Sequence, residues 1–138
     1  MSQSDELEQI AALVDAKYEQ QQLRFAKLVA RENQLRAEIA RLDDMRRATN
    51  APDAKVDEMR AIGADVIWYG WVGRSKAALN IQLAQVLAQK EHHQTAVRLA
   101  YGKVLVVAEM RDAARLAEHA RNTKGQLDRA IAQSLLHQ

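Results

Sequence analysis

Counting from Leu7 in alternating steps of four and three gives Leu7, Ala11, Val14, Tyr18, Gln21, Phe25, Leu28, Glu32, Leu35, Ile39 and Leu42. All but Gln21 and Glu32 are apolar. A repeat of this period held over about five heptads is a coiled-coil seam, and it commits the first third of the chain to one amphipathic helix that needs a partner helix. Ser4, followed by Asp5 and Glu6, supplies an N-cap with acid in the first turn. Glu32–Arg36 and Asp43–Arg47 have the i, i+4 spacing of ion pairs on an outer face. The first helix is expected over about residues 4–48.

The segment "ATNAPDAK" then interrupts the pattern with the only proline of the chain, Pro52, between Asn50 and Asp53. Proline is tolerated in a first helical turn and disfavours helix in the residue before it. A turn is therefore expected over residues 49–52, with a second helix over about residues 53–136. Helical pattern resumes with Val56, Met59, Ile62 and Val66. A second seam follows at Val72, Lys76, Leu79, Leu83, Val86, Lys90, His93, Val97, Ala100, Val104 and Val107. Lys90 and His93 stand in its middle, where polar seam residues fix register at a cost in stability.

The expected fold class is all-α, an antiparallel two-helix coiled-coil hairpin with a longer second helix, forming one domain over residues 1–138. Folding back at Asn50–Pro52 sets Leu42 against Met59, Leu28 near Val72 and Val14 near Val86. The last ~40 residues, from about Tyr101, are then left without an intramolecular partner for Val104, Val107, Ala114, Leu127 and Ile131. Self-association through this C-terminal arm, or its ordering on a partner, is the expectation.

Composition supports the helices and excludes most chemistry. Aromatics make up 4% of the 138 residues, and the abundant Ala, Leu, Gln, Glu, Lys and Arg all favour helix. A net charge of +2, with both signs interspersed, does not call for nucleic acid. No cysteine is present, which removes disulfides and thiolate chemistry and fits a reducing cytoplasm. The start, "MSQSDELEQ", is too acidic and polar for a signal peptide, and no run approaches the ~20 apolar residues of a membrane span. The His92–His93 doublet diverges by about 100° on a helix and lacks further ligands for a metal. Asp43–Asp44 and Arg46–Arg47 pair locally. No phosphate-binding loop and no nucleophile with a matched base occurs. Neither enzyme activity nor a cofactor is expected.

One stretch departs from this plain pattern. "IWYGWVGRS", residues 67–75, holds both tryptophans, Trp68 and Trp71, around Tyr69 and Gly70. The tryptophans are three apart and share a helical face, so they form either a core layer or an anchor for a partner. Trp71 is expected to be the more exposed, with Arg74 on the same side. Gly63, Gly70 and Gly73 each weaken a helix by roughly 1 kcal/mol, which suggests a break near residues 63–73.

With its two unequal helices, the chain resembles the FliJ family of flagellar export stalk proteins and their injectisome relatives. The local match is "IWYGWVGRSKAALNIQLAQVLAQKE", in which a tryptophan near the start of the long helix precedes spaced Leu, Ala and Ile with Gln. The resemblance implies a non-enzymatic, cytoplasmic component of a type III protein export apparatus, peripheral at the inner membrane. Its coiled coil would enter the export ATPase ring, and a surface on the early second helix would engage the export gate. The matching partner-binding positions are Trp68, Trp71, Arg74, Ala78 and Leu79. The chain departs from the family pattern by the extra residues Ala54–Ile67 between turn and tryptophan, and by two glycines in the contact face. A second class fits the composition: phasins, which coat polyester granules, are also short, cysteine-free and Ala-rich. An amphipathic helix of that kind lies on a granule or membrane surface, but such adsorption favours a wider apolar face than the narrow seam of the first helix.

Overall fold

The computed structural model describes residues 3–49, Glu58 and residues 63–137. Two helices carry the fold, α1 (Gln3–Thr49, 47 residues) and α2 (Ala64–Leu136, 73 residues), and no strand occurs among the described residues. The expected all-α antiparallel hairpin with a longer second helix is what forms. The expected turn at Asn50–Pro52 and most of the start of the second helix, residues 53–62, lie outside the described residues.

Both seams are where the heptads place them. Every one of the eleven α1 positions from Leu7 to Leu42 is buried or half-buried, and so is every one of the eleven α2 positions from Val72 to Val107. Leu35 and Val72 are the most enclosed, at 0% and 2% exposure. Burying a side chain of this size contributes about 1.5–3 kcal/mol. The expected break near residues 63–73 is confined to Gly63, whose φ of 76° lies in the left-handed region that only glycine enters freely. α2 runs without interruption through Gly70 and Gly73, because packing of Val72 between them outweighs their weak helix propensity.

Two compact units divide the chain, Gln22–Ala96 and Met1–Gln21 with Val97–Gln138. In the first unit the helices are held by polar groups at and beside the seam. The Lys90 ammonium donates to Glu32 Oε1 at 2.7 Å, and Arg36 Nε donates to Oε2 of the same carboxylate at 2.9 Å. Lys76 donates to Asp43 Oδ1 at 2.7 Å, and Arg31 links Gln34 to Gln82 at 3.0 and 2.8 Å. Of the polar residues in the two seams, Glu32 and Lys90 thus satisfy each other, whereas Gln21 Oε1 and His93 Nδ1 are buried without a hydrogen-bond partner. Asp43 turns to Lys76 across the helix pair, while Arg47 pairs with Asp44, so the expected Asp43–Arg47 pair is replaced. Glu32–Arg36 does form, but Glu32 is a seam residue, not an outer one.

These contacts set a register different from the expected one. Leu28 was expected near Val72, and Glu32 beside the tryptophans. Glu32 instead meets Lys90, and Trp68 meets Thr49, nineteen positions before it. The expectation assumed that pairing starts directly after Pro52. Thr49 pairs instead with Trp68, so each layer of α1 meets a residue further along α2 than expected. Met59, the expected partner of Leu42, lies outside the described residues.

In the second unit the rings of Tyr18 and Tyr101 meet at 5.3 Å, and Arg111 grips Glu8 through Nε and Nη2 at 2.9 and 3.1 Å. Leu7, Ala11 and Val107 are buried there. This corrects the expectation that the chain is unpartnered from Tyr101 onward. Val104, Val107 and Ala114 are covered, and the register shift is the reason. From Leu116 to Leu136 every residue is exposed except half-buried Gly125.

Two tests follow from this packing. Leu35→Ala should destabilise the fold by about 2–5 kcal/mol, while Leu23→Ala, at an exposed site, should stay within about 0.5 kcal/mol in denaturant titrations. The second test uses acid. Hydrogen bonds from Lys90 and then Arg36 hold the Glu32 carboxyl below its usual range, and the Lys76 hydrogen bond does the same for Asp43. A carboxyl whose folded pKa is lowered adds stability that is complete above its unfolded pKa, about 4.3 for Glu and 3.9 for Asp. That stability is lost as pH falls through the lower, folded value. Melting curves between about pH 6 and pH 3 should therefore fall more steeply for the native chain than for Glu32→Gln.

Candidate functional site

The phase of α2 decides how the aromatic segment is presented. Val72 points into the seam, so Trp71, one residue earlier and about 100° round the helix, stands on its flank and is 46% exposed. Trp68, a turn before, is half-buried. Its indole N–H donates to the Thr49 hydroxyl at 3.2 Å, and that hydroxyl donates to the Met45 carbonyl at 2.9 Å. The end of α1 and the start of α2 are thereby tied together. The two indole rings stack, with centroids 5.4 Å apart and planes 23° from parallel. Trp68, anchored from behind, limits the ways in which the outer indole of Trp71 can turn. Tyr69 faces away from this stack, its ring 5.8 Å below the Arg46 guanidinium.

Trp71 forms one rim of a shallow cleft of about 450 Å³ that runs between the helices. Ser75, Ala78 and Leu79 of α2 line it together with Leu42 and Met45 of α1, and Glu38 and Arg41 stand at its polar edge. Beside the rim, exposed Arg74 lies back along its own helix. A Cβ at Gly70 would sit 3.3 Å from Arg74 Nη1, so the bare glycine backbone lets the guanidinium settle close to the helix surface. Apolar walls, one aromatic and one guanidinium make a recognition surface of the kind that interface anchors use.

The structure thus gathers the sequence-derived residues in different roles. Trp71, Ala78 and Leu79 line the cleft, Trp68 backs it through stacking, and Arg74 flanks it without lining it. The greater exposure of Trp71 follows from the seam phase of Val72, not from Leu28 as expected. Leu42, Met45, Glu38 and Arg41 were missed because they lie on the other helix. Pairing the polar exceptions Glu32 and Lys90 would have brought them opposite residues 71–79. Elsewhere, His92 and His93 meet edge to face at 5.6 Å, and His93 sits half-buried in the seam with Nδ1 lacking a partner. No group of three or more metal-ligating side chains occurs among the described residues.

No protein-family model, no curated protein and no solved structure matches this chain.

Fluorescence separates the two indoles. Trp68→Phe, which leaves Trp71 as the only emitter, should emit further to the red and be quenched more strongly by acrylamide than Trp71→Phe. Equal quenching in the two folded variants would contradict the arrangement described above.

Proposed function

We propose that this chain is a non-enzymatic coiled-coil component of a flagellar or type III protein export apparatus, a stalk that couples the export ATPase ring to the export gate. The observation that carries the reading is the cleft under Trp71. An ordered, half-exposed tryptophan, stacked on an anchored neighbour and flanked by Arg74, stands on the early part of the long helix. Gate engagement is expected at that place in FliJ-like proteins. A rigid aromatic presented at low entropic cost suits a docking anchor. The anchor is mounted on one helix of the pair, and the paired helices are the part that enters the ATPase ring. Among the described residues no helix is long and apolar enough to cross a membrane. The chain in this reading is peripheral at the inner-membrane export apparatus, working from the cytoplasmic side. Granule coating is the weaker reading, since both seams are spent on each other.

Purified chain should retain the export ATPase and the soluble domain of the export gate from the same organism in pull-down experiments. Trp71→Ala and Arg74→Ala should keep the native melting temperature within a few degrees and lose gate binding by at least about tenfold, as removal of an anchor does. Retention of neither export component by the native chain would end the export reading. Undiminished gate binding by Trp71→Ala would move the contact elsewhere.

A further inference from the structure

α2 carries a second apolar stripe, one position out of phase with the seam that α1 covers. In the C-terminal part of the helix it reads Ala113, Ala117, Ala120, Lys124, Leu127, Ile131 and Ser134, again in alternating steps of four and three. All of these residues are exposed, Leu127 at 60% and Ile131 at 50%. The positions that continue the covered seam beyond Ala114 change character and include Arg121 and Asp128, both exposed and outside every ion pair among the described residues. In the frame of the second stripe, Arg121 and Asp128 occupy one flank, where antiparallel helices bring equivalent positions together.

We propose that this stripe pairs with the same stripe of a second copy, antiparallel, around a two-fold axis between Gly125 and Gln126. In this register Ala117 packs against Ser134 of the second copy, Ala120 against its Ile131, and Lys124 against its Leu127, each layer occurring twice. The flank then sets Arg121 against Asp128 of the second copy and Asp128 against its Arg121. It also sets Ala114 against Leu135. Charge complementarity selects this register. A shift of one heptad in either direction opposes Arg121 to Arg121, or Asp128 to Asp128. A parallel pairing places two Lys124 ammonium groups in one layer, whereas here each lysine stem lies along a leucine and its charge reaches water. A two-fold, isologous interface of this kind closes on itself at the dimer.

Charge reversal tests this directly on the full-length chain. Sedimentation equilibrium should show a reversible monomer–dimer system with no larger species. Arg121→Glu opposes two acidic pairs and Asp128→Arg opposes two basic pairs, so each single variant should dimerise roughly tenfold more weakly than the native chain. Mixed together, the two variants restore both attractive pairs across the interface and should form a heterodimer near native affinity. The double variant Arg121→Glu/Asp128→Arg should likewise recover self-association. Circular dichroism of each variant should stay native, since all the changes are at exposed sites. A native chain that remains monomeric at about 1 mM, where association is worth only about 4 kcal/mol, overturns the proposal. So do single reversals that leave dimerisation unchanged, or a mixture that fails to rescue it. A monomer that co-sediments with anionic phosphatidylserine vesicles assigns the stripe to a lipid surface instead. Because only the purified chain is used, the result is independent of whether export components bind at Trp71.

Discussion

Within residues 22–96 the helix pair depends on how one carboxylate is placed. Glu32 occupies a seam position that an apolar residue would fill at no desolvation cost, and it is tolerable there only because Lys90 and Arg36 reach both of its oxygens. Such pairs add little net stability compared with apolar residues of similar volume, since removing two charges from water offsets most of their attraction. Their effect is on specificity. Sliding α2 by a heptad would leave the apolar layers equally content, but it would strand Glu32 without Lys90 and Asp43 without Lys76. The second unit uses the same device in other chemistry, with the Glu8–Arg111 fork and the tilted contact of Tyr18 with Tyr101.

Register in turn builds the cleft. Trp71 forms a cleft only because Met45 and Leu42 stand across from it, and they do so because Thr49 pairs with Trp68. The Trp68 hydrogen bond to Thr49 therefore has two consequences. It ties the last residue of α1 to the first turns of α2, and it supports the stacked indole that faces outward. Glycine contributes at two points by different means. Gly63 adopts a positive φ just before α2 begins, and Gly70 offers a bare backbone over which Arg74 lies.

The two apolar stripes of α2 give the long helix different obligations along its length. Where α1 runs alongside, the first stripe is satisfied within the chain and the flank is free to carry recognition residues such as Trp71. From Leu116 onward the covered seam gives way to Arg121 and Asp128, and the apolar positions move round the helix by about 100°. A helix that stays helical while changing its apolar face is suited to meeting one partner within the chain and another outside it.

Much of this was legible in the residues. All twenty-two seam positions read from the heptads are covered in the folded chain, because a residue's phase on a helix depends only on local geometry of about 100° per step. The same local geometry foretold that Trp71 would be the more exposed indole. What the sequence left open was register, and with it the partners of Trp68, the far wall of the cleft and the length of the uncovered arm. The physical reason is the periodicity itself. A seam that repeats every seven residues packs almost as well after a shift of seven or fourteen, so the apolar pattern that specifies the helices is silent on how far one slides along the other. Only contacts that occur once, such as Lys90 with Glu32, Arg111 with Glu8 and Trp68 with Thr49, break that degeneracy, and these exist only when the two helices are brought together.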